Sequence, residues 1–339
     1  MRPAHSALLL IGLSALVGCG ADPVTLPTGP TALAACTALA QAECARRDAC
    51  SNGFLVTRTY GDRATCVARL TDTCVTSLAA AGTAQTPTRV QACAAAYPAI
   101  ACVDYLNGNL PGDCASQSGS LAAGAACRYN SQCQSAWCAV QTGAACGVCG
   151  SQPMAGASCN GTGATVGCGG RGLTCVGESD GAAGTCAALV AMGATCDAAH
   201  PCGAGLSCRP VATTAMNRTC EPAGATVGAA CGGAMNAGCD NAVGLACNTM
   251  SRTCQPITFV AAGAACGVLP DGGFAVCTNG GDCLGYTLTT LRGTCRAAAA
   301  VGAACDRAAG PYCATPASCV TTGAGTAGTC QLPSATTCR

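Results

Sequence analysis

The sequence predicts small disulfide-rich repeats with little regular structure and short hairpins, preceded by a small disulfide-stapled α-helical module. Three observations predict this class. The 339-residue chain contains 35 cysteines, close to the one-in-ten density that marks a disulfide scaffold. Only 3% of its residues are aromatic, and much of its apolar content is alanine and cysteine. Because alanine buries little area, a large conventional core is not expected over most of the chain. A Gly-Ala-small-Cys tetrad recurs from position 124 onward, which indicates an internal repeat.

The first residues have the pattern of an export signal. Arg2 precedes an apolar run that is too short for a usual membrane span. The run ends in Leu-Val-Gly-Cys at Cys19, which resembles the lipobox of bacterial lipoproteins. That resemblance implies that 1–18 is a cleaved signal peptide and that Cys19 carries a lipid. A glycine rather than an aspartate follows, which by the same resemblance favours the outer membrane. The Pro/Gly-rich stretch 19–30 is expected to be a tether.

Residues 31–114 have helical periodicity and contain eight cysteines. We expect helices over 31–50 and 62–82, the second with Asp62 as its N-cap. A third helix should begin at Thr86 and break near Pro98, and a short one should run through 102–106.

The cysteines of the first two helices predict how these helices are joined. Cys36 and Cys44 are eight positions apart, and so are Cys66 and Cys74, which corresponds to about 12 Å along a helix axis. Equal spacings suit an antiparallel hairpin with two rungs, so we expect the pairs Cys36–Cys74 and Cys44–Cys66. The remaining four cysteines are expected to staple the third segment: Cys50, Cys93, Cys102 and Cys114.

The repeats are units that we call knots. Knot 1 spans 124–149, and knots 2 to 6 span 159–186, 196–220, 231–254, 266–295 and 305–330, followed by a tail at 331–339. Knots 2 to 6 each contain four cysteines, and four cysteines allow three pairings. We favour first-to-third with second-to-fourth, because a crossed staple fixes two loops against each other. The favoured pairs are Cys159–Cys175, Cys168–Cys186, Cys196–Cys208, Cys202–Cys220, Cys231–Cys247, Cys239–Cys254, Cys266–Cys283, Cys277–Cys295, Cys305–Cys319 and Cys313–Cys330. Each knot should contain about one small hairpin.

Knot 1 differs from the others because it contains five cysteines and the only tryptophan, Trp137. Its cysteine pattern resembles the Dickkopf N-terminal cysteine-rich pattern, which implies a similar small disulfide knot without the signalling role of the animal proteins. The connectivity within 127–149 stays open. The repeat count leaves over the fifth cysteine of this unit and Cys338, which could pair with each other, with the helical module or with another molecule. The whole layout resembles cysteine-rich lipoproteins of high-GC Gram-negative bacteria.

Catalytic and metal sites have weak support in this sequence. Ser179 lies in a G-x-S-x-G pattern, but such a motif needs a histidine partner, and His200 is the only histidine beyond the signal peptide. The Cys-x-x-Cys at 146–149 is expected to bridge two different partners rather than to act in redox chemistry. Zinc needs thiolates, which an oxidising compartment should consume. Turn propensity accounts for Asp271 and for 279–282 better than calcium does.

These observations predict a non-enzymatic protein of the cell envelope with no cofactor and no metal. Its expected partners are the membrane, through the N-terminal lipid, and an unidentified protein or envelope component. A net charge of +1 without basic runs argues against nucleic-acid binding. The expected role is structural, adhesive or binding, and the alternative is a secreted inhibitor or toxin-like disulfide module. The loop 131–145 with Trp137 is the candidate contact surface: an exposed tryptophan would support it, and a buried one would be the core of knot 1.

Overall fold

The computed structural model describes residues 29–141, 144–159, 167–169, 172–177, 183–211, 217–232, 238–287, 289–321, 325–334, 336 and 338. The expected signal peptide 1–18, the lipidation site Cys19 and most of the tether 19–30 lie outside the described residues, and so does Ser179. Among the helices of the described ranges, none combines the length and the apolar character that crossing a membrane requires.

Five α-helices form the helical module. They are α1 (Ala32–Ser51), α2 (Phe54–Tyr60), α3 (Arg63–Leu78), α4 (Pro87–Ala96) and α5 (Cys102–Leu106). Side chains cap three of them, because each cap satisfies a backbone N–H that the first turn leaves open. Thr31 accepts from the backbone of Ala34, and Asp62 accepts from that of Thr65 at 2.8 Å. Thr86 caps α4, which has a proline in its first turn.

Helix α2 was not expected, and α3 ends at Leu78 instead of continuing to 82. The α2 sequence FLVTRTY is rich in β-branched and aromatic residues, which favour strands. It is helical because tertiary packing overrides this preference: Phe54, Val56 and Tyr60 are all buried. Asn52 and Gly53, both with positive φ, turn the chain between α1 and α2.

Four disulfides staple the helical module. Cys36–Cys74 and Cys44–Cys66 join α1 to α3 with Cα separations of 5.5 and 6.1 Å, and these are the two rungs that the equal spacing suggested. Cys93–Cys114 joins α4 to the chain after α5. The expectation that all four remaining cysteines staple the third segment was wrong, because Cys50–Cys102 joins the end of α1 to α5.

The knots are built on short strands. Knot 1 contains β1 (Ala126–Cys127), β2 (Cys138–Ala139) and β3 (Gly147–Cys149), and knot 2 contains β4 (Ser158–Cys159), β5 (Leu173–Val176) and β6 (Gly184–Ala188). Knot 3 contains β7 (Leu206–Pro210) and β8 (Arg218–Pro222), and knot 4 contains β9 (Leu245–Cys247) and β10 (Cys254–Pro256). The five-stranded sheet of knot 5 comprises β11 (Thr258–Val260), β12 (Ala265–Val268), β13 (Phe274–Cys277), β14 (Asp282–Leu284) and β15 (Arg292–Arg296). Knot 6 contains β16 (Ala304–Asp306), β17 (Ser318–Thr321) and β18 (Ala327–Gln331).

All six knots contain the same crossed pair of disulfides. In knot 3, Cys196 bonds Cys208 and Cys202 bonds Cys220, and each of the other four-cysteine knots has the corresponding pairs. The third and last cysteines face each other in register across the hairpin, as Cys208 and Cys220 do. They bond outward to the first and second cysteines instead of to each other. The hairpin is therefore tied to both preceding loops.

Knot 1 follows the same plan with its first, second, third and fifth cysteines. Cys127 bonds Cys138, and Cys133 bonds Cys149. The fifth cysteine, Cys149, thus takes the closing position and is not left over. The additional cysteine is Cys146, which bonds Cys338 at the end of the chain.

The repeated Gly-Ala-small-Cys tetrad has a backbone explanation. In knot 3, Gly193 has φ 77° and donates its N–H to the carbonyl of Cys220 at 2.8 Å. Cys220 donates back to the carbonyl of Ala194 at 2.9 Å. The same reciprocal pair occurs in all six knots, and the tetrad glycine has a positive φ each time. Glycine is required because this turn needs a left-handed residue, which an L side chain disfavours.

The knots pack against the helical module instead of standing apart from it. The side-chain amide of Gln132 in knot 1 donates to the carbonyl of Ala81 at 2.8 Å. The backbone N–H of Ala204 in knot 3 donates to the side-chain oxygen of Asn107 at 2.7 Å. The backbone N–H of Gly280 in knot 5 donates to the carbonyl of Arg58 at 2.7 Å. Knots 2 and 6 share cavity walls with the helices. The last residues of the chain return to knot 1, where Cys338 bonds Cys146.

Knots 4 and 5 dock on helix α2 through aromatic packing. The Phe54 ring lies 5.5 Å from the ring of Phe259, centroid to centroid. A Cβ added to Gly244 would come within 2.9 Å of the Phe54 side chain, so glycine permits the close approach of knot 4. These contacts bury Phe54 almost completely, which gives the molecule one of its few aromatic contacts between modules.

Candidate functional site

Trp137 is held in place by the disulfides of knot 1. It directly precedes Cys138, which bonds Cys127, and its carbonyl accepts from the backbone of Gly150 at 3.2 Å. The side-chain oxygen of Asn130 accepts from the backbone of Cys138 at 2.9 Å. Ala136 has φ 54°, a conformation that turns the chain immediately before the tryptophan. Covalent and hydrogen-bonding constraints on both sides therefore fix where the indole lies.

The Trp137 side chain is neither fully exposed nor fully buried. The residue is half-buried, and its indole Nε1 is inaccessible to solvent and has no hydrogen-bond partner among the described residues. A buried N–H without an acceptor costs about 1–3 kcal/mol, so this tryptophan is not the ideal core residue for knot 1. The rest of the ring forms part of the wall of a cavity.

This cavity, which we call the Trp137 cavity, lies where three parts of the chain meet. Its volume is about 680 Å³, within the range of small-molecule sites. The helical module and the chain just after it contribute residues between Asn107 and Ser116, among them Leu110. Knot 1 contributes Asn130 and Trp137, and the chain at and before knot 2 contributes Gln152, Met154 and Leu173. None of these parts forms the cavity alone, so its shape depends on how the knots pack against the helices.

The described residues that line the Trp137 cavity include no charged side chain. Their polar groups are the amides of Asn107, Asn130 and Gln152 and the hydroxyl of Ser116. Trp137 and Met154 contribute aromatic and apolar surface, and Met154 is 63% exposed. Neutral donors and acceptors beside an aromatic ring suit recognition of a ligand, and the described lining has no histidine or carboxylate beside Ser116 to act as a general base.

Among the described residues, His200 pairs with a single carboxylate, that of Asp197. Its Nδ1 lies 2.8 Å from Asp197 Oδ1 in an exposed turn. This hydrogen bond, with those from the backbone, lowers the pKa of the Asp197 carboxyl below its usual value. The imidazole borders a cavity of about 630 Å³ whose other described lining residues are mainly alanine, valine, glycine and threonine.

The cysteine clusters form disulfides, and the acidic residues in the turns have hydrogen-bond or ion-pair partners. Three cysteine sulfurs lie within 4.8 Å of one another in several knots, but all of them are in disulfides, which are not the thiolates that zinc binds. Asp271 accepts from the backbone of Gly273 in its own turn, and Asp282 pairs with Arg296 at 2.7 Å. The residues singled out as calcium candidates thus have structural partners.

A second polar cluster, which the sequence did not suggest, lies in the helical module. Arg47 donates to Glu43 at 3.2 Å and to the hydroxyl of Tyr105 at 3.1 Å, and it lies over the ring of Tyr60. Burial raises the pKa of the Glu43 carboxyl, and the guanidinium of Arg47 opposes this. Burial, reinforced by Glu43, also raises the pKa of Tyr97. The i, i+4 spacing of Glu43 and Arg47 was the available signal, but the tyrosines come from separate segments. These groups satisfy one another, so we interpret the cluster as structural.

Searches for known relatives found no match to this chain among protein-family models, curated proteins or solved structures.

Proposed function

We propose that this chain is a non-catalytic binding protein of the cell envelope, anchored through a lipid on Cys19, with the Trp137 cavity as its binding face. The observation that carries the proposal is the cavity itself, in which an orphaned tryptophan and three amides meet at the junction of three modules. Rigid walls lower the entropic cost of binding, and the disulfides of knots 1 and 2 supply that rigidity.

The cysteine chemistry supports an extracytoplasmic location. Seventeen disulfides leave no unpaired thiol among the 34 cysteines from Cys36 to Cys338. Such pairing persists in oxidising compartments and is rare in a reducing cytosol. Together with the lipobox-like ending at Cys19, this favours display at the envelope over an intracellular role.

The alternative of an inhibitor or toxin-like module has less support. Such a module presents one rigid protruding loop to its target, whereas Trp137 lines a recess. The knots also pack on the helical module instead of presenting their loops independently. We therefore favour a binding role within the envelope.

An envelope-retention experiment tests this function. The full-length chain carrying Cys19→Ala, which removes the proposed anchor, is exported, purified oxidised and mixed with delipidated envelopes of a high-GC Gram-negative bacterium. We expect the protein to sediment with the envelopes and Trp137→Ala to lower the bound fraction at least about fivefold, as loss of a central aromatic anchor does. The matched control is Met192→Ala, which changes a methionine that is 65% exposed in a turn before knot 3. Equal retention of the three proteins would refute a binding face at Trp137.

A further inference from the structure

We infer that the Trp137 cavity binds an uncharged carbohydrate, a short neutral oligosaccharide that places a sugar ring against the tryptophan. This inference rests on the proposed function, because it names the ligand class of the same site. It depends on three properties of the cavity: the chemistry of its lining, the orientation of its amides and its size.

The lining matches a neutral polyhydroxylated molecule. Sugar hydroxyls both donate and accept, and side-chain amides and a serine hydroxyl do the same. The C–H faces of a sugar ring are apolar and pack on aromatic surface such as that of Trp137. Arginine and lysine are the side chains that pair with an anionic ligand, and carboxylates are those that pair with a cationic one; the described lining contains neither. A purely apolar ligand would desolvate the amides without compensation.

Two of the amides have an orientation that the backbone fixes. The side-chain oxygen of Asn107 accepts from the backbone of Ala204 at 2.7 Å, and that of Asn130 accepts from the backbone of Cys138 at 2.9 Å. Each amide therefore retains its NH₂ group as the remaining donor, and neither NH₂ donates a hydrogen bond to another described residue. Donors that are oriented before the ligand arrives cost little to order on binding.

The volume also fits this ligand class. About 680 Å³ exceeds what a single bound water or ion requires and lies in the middle of the about 300–1,000 Å³ range of small-ligand sites. Gln152 and Met154 are both exposed at one side of the cavity, so an oligosaccharide can extend outward past them.

The single tryptophan provides a direct reporter for the test. The oxidised full-length chain is titrated with cellotetraose, maltotetraose and N-acetylated chitotetraose, and tetragalacturonate serves as the charged control, while Trp137 emission is recorded. We expect at least one neutral tetrasaccharide to change the emission saturably and tetragalacturonate to leave it unchanged. No saturable change with any neutral probe at concentrations up to about 10 mM would overturn the inference.

Calorimetry of variants locates the binding. Trp137→Ala should weaken it at least about tenfold and Trp137→Phe less, because phenylalanine keeps an aromatic face. Gln152→Ala and Met154→Ala change exposed residues of the lining, and both should weaken binding at least about threefold. Met192→Ala, the matched exposed methionine, should leave it unchanged. Binding that is insensitive to Gln152→Ala, Met154→Ala and Trp137→Phe alike would contradict a site in this cavity.

The two proposals can fail separately. Trp137-dependent retention on envelopes without binding of any neutral tetrasaccharide would leave the proposed function standing and refute the ligand class. Binding of a neutral tetrasaccharide at Trp137 without retention on envelopes would refute the proposed function.

Discussion

Cys146 is bonded to Cys338 across a sequence separation of 192 residues, which joins knot 1 to the end of the chain. Two neighbouring contacts also join knot 1 to the last part of the chain. Arg128 of knot 1 donates to the hydroxyl of Ser318 in knot 6 at 3.0 Å, and the Sγ of Cys338 lies 3.4 Å from the carbonyl oxygen of Ala145. This bridge therefore closes a ring of knots, each of which also borders the helical module.

Removing the bridge with Cys146→Ser and Cys338→Ser together should lower the free energy of unfolding by about 2–4 kcal/mol. We expect the lower part of this range, because other disulfides inside the 192-residue loop already shorten the unfolded chain. Guanidinium unfolding of the oxidised protein measures the change. Peptide mapping should show the other sixteen bridges intact, and proteases should cut the tail 331–339 faster than in the parent protein. An unchanged unfolding midpoint and cleavage rate would show that the ring does not depend on the bridge.

One substitution should measure how much stability a side chain costs at the tetrad glycine, which has a positive φ. Gly193→Ala places a Cβ where no atom lies within 4 Å, so its cost is the left-handed backbone alone, about 1–2 kcal/mol. Gly112→Ala is the matched control, since its Cβ also meets nothing and its φ is not positive. Thermal unfolding should show destabilisation by Gly193→Ala and little change or a small gain with Gly112→Ala. Equal effects of both would contradict the explanation of the tetrad.

Docking of knots 4 and 5 should depend on Phe54. Phe54→Ala removes a ring that is 6% exposed and packs on Phe259, so we expect a loss of about 3–5 kcal/mol. Limited proteolysis should then cleave between the helical module and these knots, while peptide mapping still finds their internal disulfides. Leu33→Ala, in α1 and 63% exposed, should change neither stability nor cleavage. Independent, flexing knots would instead give the same cleavage pattern in both variants.

Glu43 should give the stability a pH dependence of a defined sign. Its folded pKa is raised by burial, so the native state binds more protons than the unfolded state between the two pKa values. The contribution of Glu43 to stability is therefore most favourable below its unfolded pKa and declines as pH rises through the folded pKa. Glu43→Gln should remove this decline from a plot of unfolding free energy against pH. A decline that persists in Glu43→Gln would assign it to another group.

Asp62 should give the stability a pH dependence of the opposite sign, because hydrogen bonds from Thr65 lower the pKa of its carboxyl. Asp62→Asn should therefore remove a gain in unfolding free energy with rising pH.

The proposed anchor is tested by lipid incorporation. Cells expressing the full chain are labelled with radioactive palmitate, and we expect label on the parent protein and none on Cys19→Ala. Acyl chains hold a protein to a membrane by burying CH₂ groups, so Cys19→Ala should also move the protein to the soluble extracytoplasmic fraction. Cys19→Ser is a matched control that removes the thiol but keeps the size, and it should behave in the same way. Equal labelling of parent and variants would refute the anchor.

Much of the local structure follows from short-range patterns. The eight-residue cysteine spacing in α1 and α3 indicated the rungs Cys36–Cys74 and Cys44–Cys66, because helix geometry translates sequence spacing directly into distance. The repeated tetrad located the knots, since a left-handed glycine and a cysteine at fixed spacing leave a recognisable signature. Helix α2 gave no such signal, because its helical state depends on the burial of Phe54 and Tyr60 and not on its own preferences.

The sequence indicates only part of the candidate site. Trp137 was recognisable as the single tryptophan, but Asn107 and Gln152 have no pattern that connects them to it. They meet only after the knots have packed on the helical module, and the long-range contacts that bring this about leave no periodicity in the sequence. The identity of the additional cysteine in knot 1 has the same origin, because Cys146 and Cys149 differ only in which partner the fold brings near.

By itself, then, the sequence determined the fold class, the positions of the knots and the crossed pairing that was favoured within them, because all of these depend on spacings of a few residues to a few tens of residues. Only the tertiary structure decided that the knots pack on the helical module, that Cys146 reaches Cys338, and that Trp137 faces a cavity whose described lining is uncharged. The physical reason is that these features arise from packing between surfaces far apart in the chain, where complementarity of shape and hydrogen bonding, and not local backbone preference, selects the partners.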